Sequence, residues 1–300
     1  MDLKQVDIFI KVAGLKSFSK AAEEVFLSQP AVSAQILGLE KELGVQLFNR
    51  NSKDITLTSA GEAFLKYAID ITNSYNNAVN TLAEFNENIQ GKLNLAASTT
   101  PCNFILPDLI KKFNKEYPDI NFNISEHSSG EILENILKFN YEIGIVGNNF
   151  KNNAIKSYRL IEDELVLISS SESNLPSQVE AKELMNYRFI LREKGSATRN
   201  TFENALRNKG ISPNRINVGC EINNIDALFK FVKIGLGVAI ISKNVYPDYI
   251  NYANIKVSEI VDLDLKRGMY LVLSRKRSLT PTSNAFFQFC KKYFNFSDEN

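Results

Sequence analysis

Between residues 17 and 50, in the stretch SFSKAAEEVFLSQPAVSAQILGLEKELGVQLFNR, the apolar positions fall on two helical faces. Phe18, Ala21, Ala22, Val25 and Phe26 follow gaps of three, one, three and one, the mark of a helix with a single buried stripe. Ala31, Val32, Gln35, Ile36, Leu39 and Leu43 repeat that spacing with one polar member. Ser28 can cap the second helix, and Pro30 sits in its first turn, where a missing N–H costs nothing. The small residues Ala21, Ala22 and Ala31 let the two helices cross closely, as a helix-turn-helix requires. Upstream, Leu3, Val6, Phe9, Ile10 and Ala13 predict a first helix ended by Gly14. Downstream, apolar alternation around Asn51-Ser52-Lys53-Asp54 predicts a short hairpin, so residues 1–59 are expected to form a winged helix-turn-helix domain.

From Ala60 to Gln90 two seven-residue series interlock: Phe64, Ile71, Ala78, Phe85 and Ala68, Tyr75, Leu82, Ile89. That spacing predicts one long linker helix ended by Gly91, whose seam over 60–89 is expected to pair with a second copy, the plainer alternative being that it packs on the chain's own core. Beyond Gly91 short apolar runs alternate with helical stripes, so residues 91–300 predict a two-lobed α/β unit with mostly parallel sheets. Crossovers near 160 and 266 would divide it into lobe I, about 91–161 and 267–300, and lobe II, about 162–266. Within lobe I a single helix is expected over 104–117, and within lobe II a helix near 180–185.

Charge adds no simple signal. Lys and Arg number 35 against 34 Asp and Glu, and the N-terminal basic residues are matched by Glu23, Glu24, Glu40 and Glu42. Any nucleic-acid contact must therefore come from local placement. The first residues resemble neither a signal peptide nor a membrane anchor, and no apolar run approaches the roughly 20 residues a bilayer needs. Cys102, Cys220 and Cys290 fit neither a disulfide framework nor a zinc pattern, which points to a reducing cytoplasm. With His127 the single histidine, no metal site and no His-based catalytic set is expected.

Two hydroxyl-rich loops stand where a ligand would bind in an α/β unit, after a strand and before a helix. One holds Ser98, Thr99, Thr100 and Cys102; the other holds Ser196, Thr198 and Arg199. Each alone could be only a helix cap, but their matched positions in two lobes favour a small polar or anionic ligand in the cleft between them. Asn224 and Gly147 follow other strands and could line the same cleft, although Asn224 also suits a cap. The first loop lacks bulky basic residues, which argues against a highly charged ligand.

The N-terminal pattern resembles the LysR-type transcriptional regulators. Ala21-Ala22, Ser28-Gln29-Pro30-Ala31-Val32-Ser33, Leu39-Glu40, Leu43-Gly44, Leu47-Phe48, Arg50, Leu57-Thr58 and Ala60-Gly61 stand in that family's order. The resemblance implies an effector domain of periplasmic-binding-protein type behind the winged helix and linker helix. It also implies a homodimer or dimer of dimers that binds double-stranded promoter DNA, answers to a small-molecule effector, and needs no cofactor. Gln29, Pro30, Ala31, Ser33 and Gln35 would then face the major groove, and Arg50, Lys53 and Thr58 the backbone or minor groove. The GSATR segment resembles the subgroup concerned with sulfur or oxyanion metabolism, which implies a sulfur-related anion or an amino-acid derivative. The rival readings are a cytoplasmic solute-binding module without regulatory output and a two-lobed enzyme, the latter lacking a base, nucleophile and metal set.

Overall fold

The computed structural model describes residues 1–49, 55–83, 89–148, 152–245 and 254–296. Its N-terminal unit is α1 (Leu3–Leu15), α2 (Phe18–Glu24) and α3 (Gln29–Leu43), then an antiparallel hairpin of β1 (Phe48–Asn49) and β2 (Thr56–Leu57). The side chains of Asp2, Ser17 and Ser28 accept from amides in the first turns of the three helices, supplying partners that helix starts otherwise lack. The apolar stripes read from sequence meet in one core of Val6, Phe9, Ala21, Val32, Ile36, Leu39 and Leu47. Gly14 does not end α1, which runs on to Leu15 and closes at a left-handed Lys16 (φ 51°).

Glu40 is not the surface acid that charge counting makes of it. It is buried, and the amides of Leu47 and Phe48 donate to its Oε1 at 2.8 and 3.2 Å, pinning the start of the hairpin to α3. The hairpin is in turn tight against the linker helix α4 (Ser59–Ala83): a Cβ on Gly61 would lie 2.1 Å from the Leu47 carbonyl oxygen.

The seam of α4 has two fates. Phe64 and Ala68 join the N-terminal core, while Tyr67, Tyr75 and Leu82 are 63%, 51% and 64% exposed. Phe85 lies outside the described residues, and Ile89 packs on the core of lobe I instead of extending the helix. Gly91 opens the first strand of that lobe, with φ 132°.

Lobe I contains β3 (Gly91–Ala97), α5 (Thr99–Phe104), α6 (Leu106–Glu116), β4 (Ile120–Glu126), α7 (Ser129–Leu137) and β5 (Ile143–Val146). The single helix expected over 104–117 is divided, because Pro107 cannot continue α5 and instead sits in the first turn of α6. The strand β6 (Ile155–Ser170) then crosses into lobe II, which holds β7 (Gln178–Val179), β8 (Arg188–Arg192), α8 (Ala197–Asn208), β9 (Asn217–Ile222), α9 (Ile225–Lys233), β10 (Ala239–Ser242) and β11 (Ile255–Ile260). The helix expected near 180–185 is a short 3-10 turn, Ala181–Asn186. The strand β12 (Lys266–Ser274) returns to lobe I, closed by α10 (Pro281–Phe294).

The main sheet runs β4-β3-β5-β12-β6-β11-β7. Pairing is parallel at β3/β4, β3/β5 and β8/β9, as an alternating pattern predicts, but antiparallel for β12 with β5 and β6 and for β10 and β11 with β6. The mostly parallel expectation fails at the hinge for a topological reason. The chain passes between lobes on one strand and returns on its neighbour, and adjacent strands of opposite direction must pair antiparallel.

Glu40→Ala would leave two buried amides without an acceptor, so urea unfolding should show a loss of about 1–3 kcal/mol; unchanged stability would show that the hairpin is held by other means.

Candidate functional site

Two sites emerge, one at each end of the chain. On α3, Ser28 accepts the amide of Ala31 and thereby fixes the helix start, which leaves Gln29 and Pro30 exposed. Gln29 Nε2 donates to Ser33 Oγ at 3.1 Å, so the two polar groups expected to read bases are neighbours on one face. Ala31 and Ser33 are half-buried, and Ala34 and the half-exposed Leu37 complete that face; neither of the last two was singled out from sequence. Gln35 is half-buried and lies toward the inner stripe. Thr58 donates its hydroxyl proton to the Gln46 carbonyl at 2.7 Å and accepts the Gly61 amide at 3.0 Å, which makes it a cap for α4. Arg50 and Lys53 lie outside the described residues.

The second site is the cleft between lobes. Ser98, Thr99 and Thr100, after β3, face Ser196 and Thr198, at the start of α8, with Gly147 at the end of β5 beside them. All five hydroxyl residues are buried, and the void left between the walls is about 10 Å³, room for one water. Glycine at 147 lets the walls approach closely: a Cβ would lie 3.0 Å from Ala197 Cβ and 3.3 Å from Arg267 Nη1, and one of them would have to give way.

Two arginines that sequence reasoning missed enter this cleft. Arg192, at the end of β8, and Arg267, near the start of β12, are 6% and 7% exposed. Arg267 Nε donates to Asp163 Oδ2 at 2.7 Å, while Nη1 and Nη2 reach Thr198 Oγ1 at 3.1 Å and Thr100 Oγ1 at 3.4 Å, one hydroxyl on each lobe. Asp163 on β6 is held in turn by the hydroxyl of Ser242 at 2.6 Å and the amide nitrogen of Asn244 at 2.9 Å. Arg192 Nη2 donates to Thr99 Oγ1 at 3.1 Å and its Nε to Glu193 at 2.9 Å. Burial pushes the Arg267 guanidinium down from its ordinary value; Asp163 opposes that, and the positive charge of Arg192 adds to it. The guanidinium stays charged, so the cleft carries two cations that repel each other.

Other expected residues lie elsewhere. Arg199 turns out of the cleft: it donates to the Arg192 carbonyl at 2.9 Å and pairs with Glu203 at 2.7 Å and Glu221 at 2.6 Å. Asn224 caps α9 through the Ala227 amide. Cys102 packs against the lobe I core, where burial, and then the charge of Glu126, push its thiol up, away from a reactive thiolate. His127, Ser128, Ser129 and Glu193 line the cleft and were not proposed for it. Arg192 had a legible signal, a charged pair closing the apolar strand FILRE. Arg267 had none, because it stands at the beginning of a strand that runs antiparallel to its neighbours. Both cations enter from outside the first loop, so the absence of basic residues there does not exclude a charged ligand.

A winged helix that presents Gln29 and Ser33, joined by one helix to a two-lobed cleft, defines a DNA-binding regulator with a sensor domain. The chain belongs to the LysR family: the family model described as a bacterial regulatory helix-turn-helix protein, lysR family, matches residues 3–62, and that of the LysR substrate binding domain matches residues 86–295. A probable RuBisCO transcriptional regulator from Cyanidioschyzon merolae is 30% identical over 298 residues, covering 98% of this chain and 97% of that protein. The HTH-type transcriptional regulator CysL of Bacillus subtilis is 27% identical over 288 residues, 95% of each chain. Among solved structures, a full-length OxyR variant from Pseudomonas aeruginosa superposes with a TM-score of 0.71 at 19% identity, covering 97% of this chain and 95% of that one. The CcmR regulatory domain of Synechocystis in complex with 2-PG superposes with a TM-score of 0.62 at 22% identity, over 68% of this chain and 98% of that one. These findings favour a transcriptional regulator over a solute-binding module without output.

Asp163→Ala would leave Arg267 buried without its counterion, with an expected loss of about 3–5 kcal/mol in urea-unfolding free energy. A loss below 1 kcal/mol would mean that the hinge does not depend on the pair.

Proposed function

We propose that this regulator is governed by a small organic anion, a phosphate monoester or a carboxylate, bound between Arg192 and Arg267. The observation that carries this reading is the pair of buried guanidiniums bonded to hydroxyls from both lobes, Arg267 to Thr198 and Thr100, and Arg192 to Thr99 besides Glu193 and the Asn223 carbonyl. An anion there would relieve the repulsion between the cations and replace weak hydroxyl acceptors with a charged one, the stronger class of hydrogen bond. Ser98, Thr99, Thr100, Ser196 and Thr198, with Gly147 permitting close approach, would complete its shell. The CcmR regulatory domain, a structural neighbour, was solved in complex with 2-PG, and the resemblance of the GSATR segment to the sulfur or oxyanion subgroup keeps sulfur-derived anions within the class.

At the other end, Gln29, Pro30, Ala31 and Ser33 read base edges in the major groove of promoter DNA, with Gln35 turned partly inward. Gln supplies paired hydrogen bonds to adenine, and the short neighbours permit close approach. Arg50 and Lys53 hold the backbone. Two copies pair through the exposed apolar face of α4, which carries Tyr67, Tyr75 and Leu82. The output is altered DNA occupancy without chemical turnover. Its place is with the genome, in the cytoplasm, and no described helix is long and apolar enough to cross a membrane.

Calorimetry with 2-phosphoglycolate, inorganic phosphate and sulfate tests the cleft. At least one should bind wild type, and both Arg267→Met and Arg192→Met should weaken it tenfold or more, about 1.4 kcal/mol. Binding indifferent to both substitutions would remove the cleft from the mechanism. For the reading head, Gln29→Ala with Ser33→Ala should cost about 1–3 kcal/mol of promoter affinity in footprinting and leave nonspecific binding unchanged. An equal loss on all sequences would contradict base reading.

A further inference from the structure

The DNA-reading domain does not hang from α4 alone; it is docked on lobe I of its own chain. Phe139, between α7 and β5, inserts into the N-terminal apolar core beside residues of α1. Gly14 on α1 meets the same segment so closely that a Cβ would lie 2.2 Å from the Lys138 carbonyl oxygen. Lys11 Nζ donates to the Asn140 carbonyl at 3.4 Å. Arg277, just after β12, donates to the Phe139 carbonyl at 2.6 Å and stands 3.5 Å from Glu142 and 3.9 Å from Asp7 of α1. The linker helix lands on the same place: Asn73 donates to the Lys276 carbonyl at 2.8 Å and accepts the Ser278 amide at 2.7 Å, and Asn80 donates to the Leu279 carbonyl at 2.8 Å.

The hydrogen bonds and the apolar insertion just described fall, on the lobe I side, at residues 138–142 and 276–279; Lys92 Nζ of β3 adds a contact 4.6 Å over the Phe26 ring, and α10 packs on α4. The two segments are the near ends of β5 and β12, whose far ends lie in the cleft. β5 begins after Glu142 and leads to Gly147; β12 begins with Lys266 and Arg267 and leads to Arg277. The two strands are paired, Leu273 with Ile143 and Tyr270 with Val146, so they move as one body. Beside the joint the domains part, leaving a cleft of about 710 Å³ between α1 and lobe I. Arg277 Nε and the Asn140 side-chain oxygen are buried in the joint without a hydrogen-bond partner among the described residues, so docking carries an unmet polar cost. Strong apolar insertion set against that cost suits an element with a docked and a released state.

We propose that the lobe I face formed by residues 138–142 and 276–279 is a docking surface for the chain's own DNA-reading domain, released or engaged according to the state of the cleft at the far ends of β5 and β12. The direction of control rests on reading the cleft as the effector site, while the docking itself does not. Two global states whose balance is set by contacts at one site are what coupling between distant sites requires.

Hydrogen–deuterium exchange on the full-length protein tests this without any ligand. Gly14→Ala favours the helix intrinsically but cannot fit against Lys138, so it should speed exchange at 138–142 and 276–279 about tenfold while α2 and α3 keep wild-type protection. Arg267→Met, which removes the guanidinium that touches both lobes, should speed exchange at the same two segments, and the double variant should add nothing beyond Gly14→Ala. If Gly14→Ala also unprotects α3, Arg277→Met takes its place, with the same expectations. Wild-type exchange at the joint in the docking variant would show that the surface does not hold the domain. A joint that answers to docking variants but not to Arg267→Met would overturn control from the cleft. Because anion affinity is read separately by calorimetry, failure of ligand binding and failure of the joint are distinct results.

Discussion

The buried pair of Arg267 and Asp163 is the contact on which the effector unit turns. Removing two charges from water costs several kcal/mol per ion, and their attraction repays it only with good geometry and satisfied remaining polar atoms. Both conditions hold for Asp163, whose second oxygen accepts from Ser242 and Asn244. They hold less well for Arg267, whose outer nitrogens find only neutral hydroxyls, one of them at 3.4 Å. The pair bridges β6 and β12, the strands that connect the lobes, so its geometry and the angle between lobes are set together. A charge held firmly on one side and weakly on the other is a receptor whose scaffold is already assembled.

How much of this was legible follows from what a local pattern can carry. The three N-terminal helices, their caps and the hairpin rest on contacts within a few residues, so spacing alone exposed them. The hydroxyl loops were legible because the ends of parallel strands are marked by the switch from apolar run to helix start. Glu40 was misjudged because its partners, the Leu47 and Phe48 amides, become neighbours only when the chain folds back. Arg267 and Asp163 are far apart in sequence and become neighbours only when β6 and β12 pair. Arg199 failed in the opposite way: its place in a suggestive loop was right, but Glu203 and Glu221 claim its guanidinium. Neighbouring carboxylates on other elements decide where a long cation points, and a one-dimensional reading does not see them.

The near balance of charge in the reading domain also acquires a physical meaning. Phosphate contacts supply most nonspecific affinity, so a domain without a basic excess binds DNA weakly by itself. Two such domains held at a fixed spacing gain through effective concentration, and the gain vanishes when the spacing no longer matches the half-sites. Geometry is therefore the quantity a sensor domain can exploit. On the proposed pairing the exposed face of α4 would set which copies pair, while its asparagine face, through Asn73 and Asn80, ties the same helix to lobe I.

The size of the cleft decides how a signal can begin. A void of about 10 Å³ admits a water and no metabolite, so an anion must enter when the lobes stand farther apart than they do here. Its affinity is then discounted by the population of the open arrangement, and its influence on the protein is limited to the difference in its affinity for the two arrangements. Threonines on both walls already satisfy the arginines when the lobes are close. A ligand therefore has to displace three neutral hydroxyls, not bare solvent, and a charged group does so where an alcohol does not. If the cleft is the effector site, its closed, hydroxyl-satisfied state would itself filter for anions.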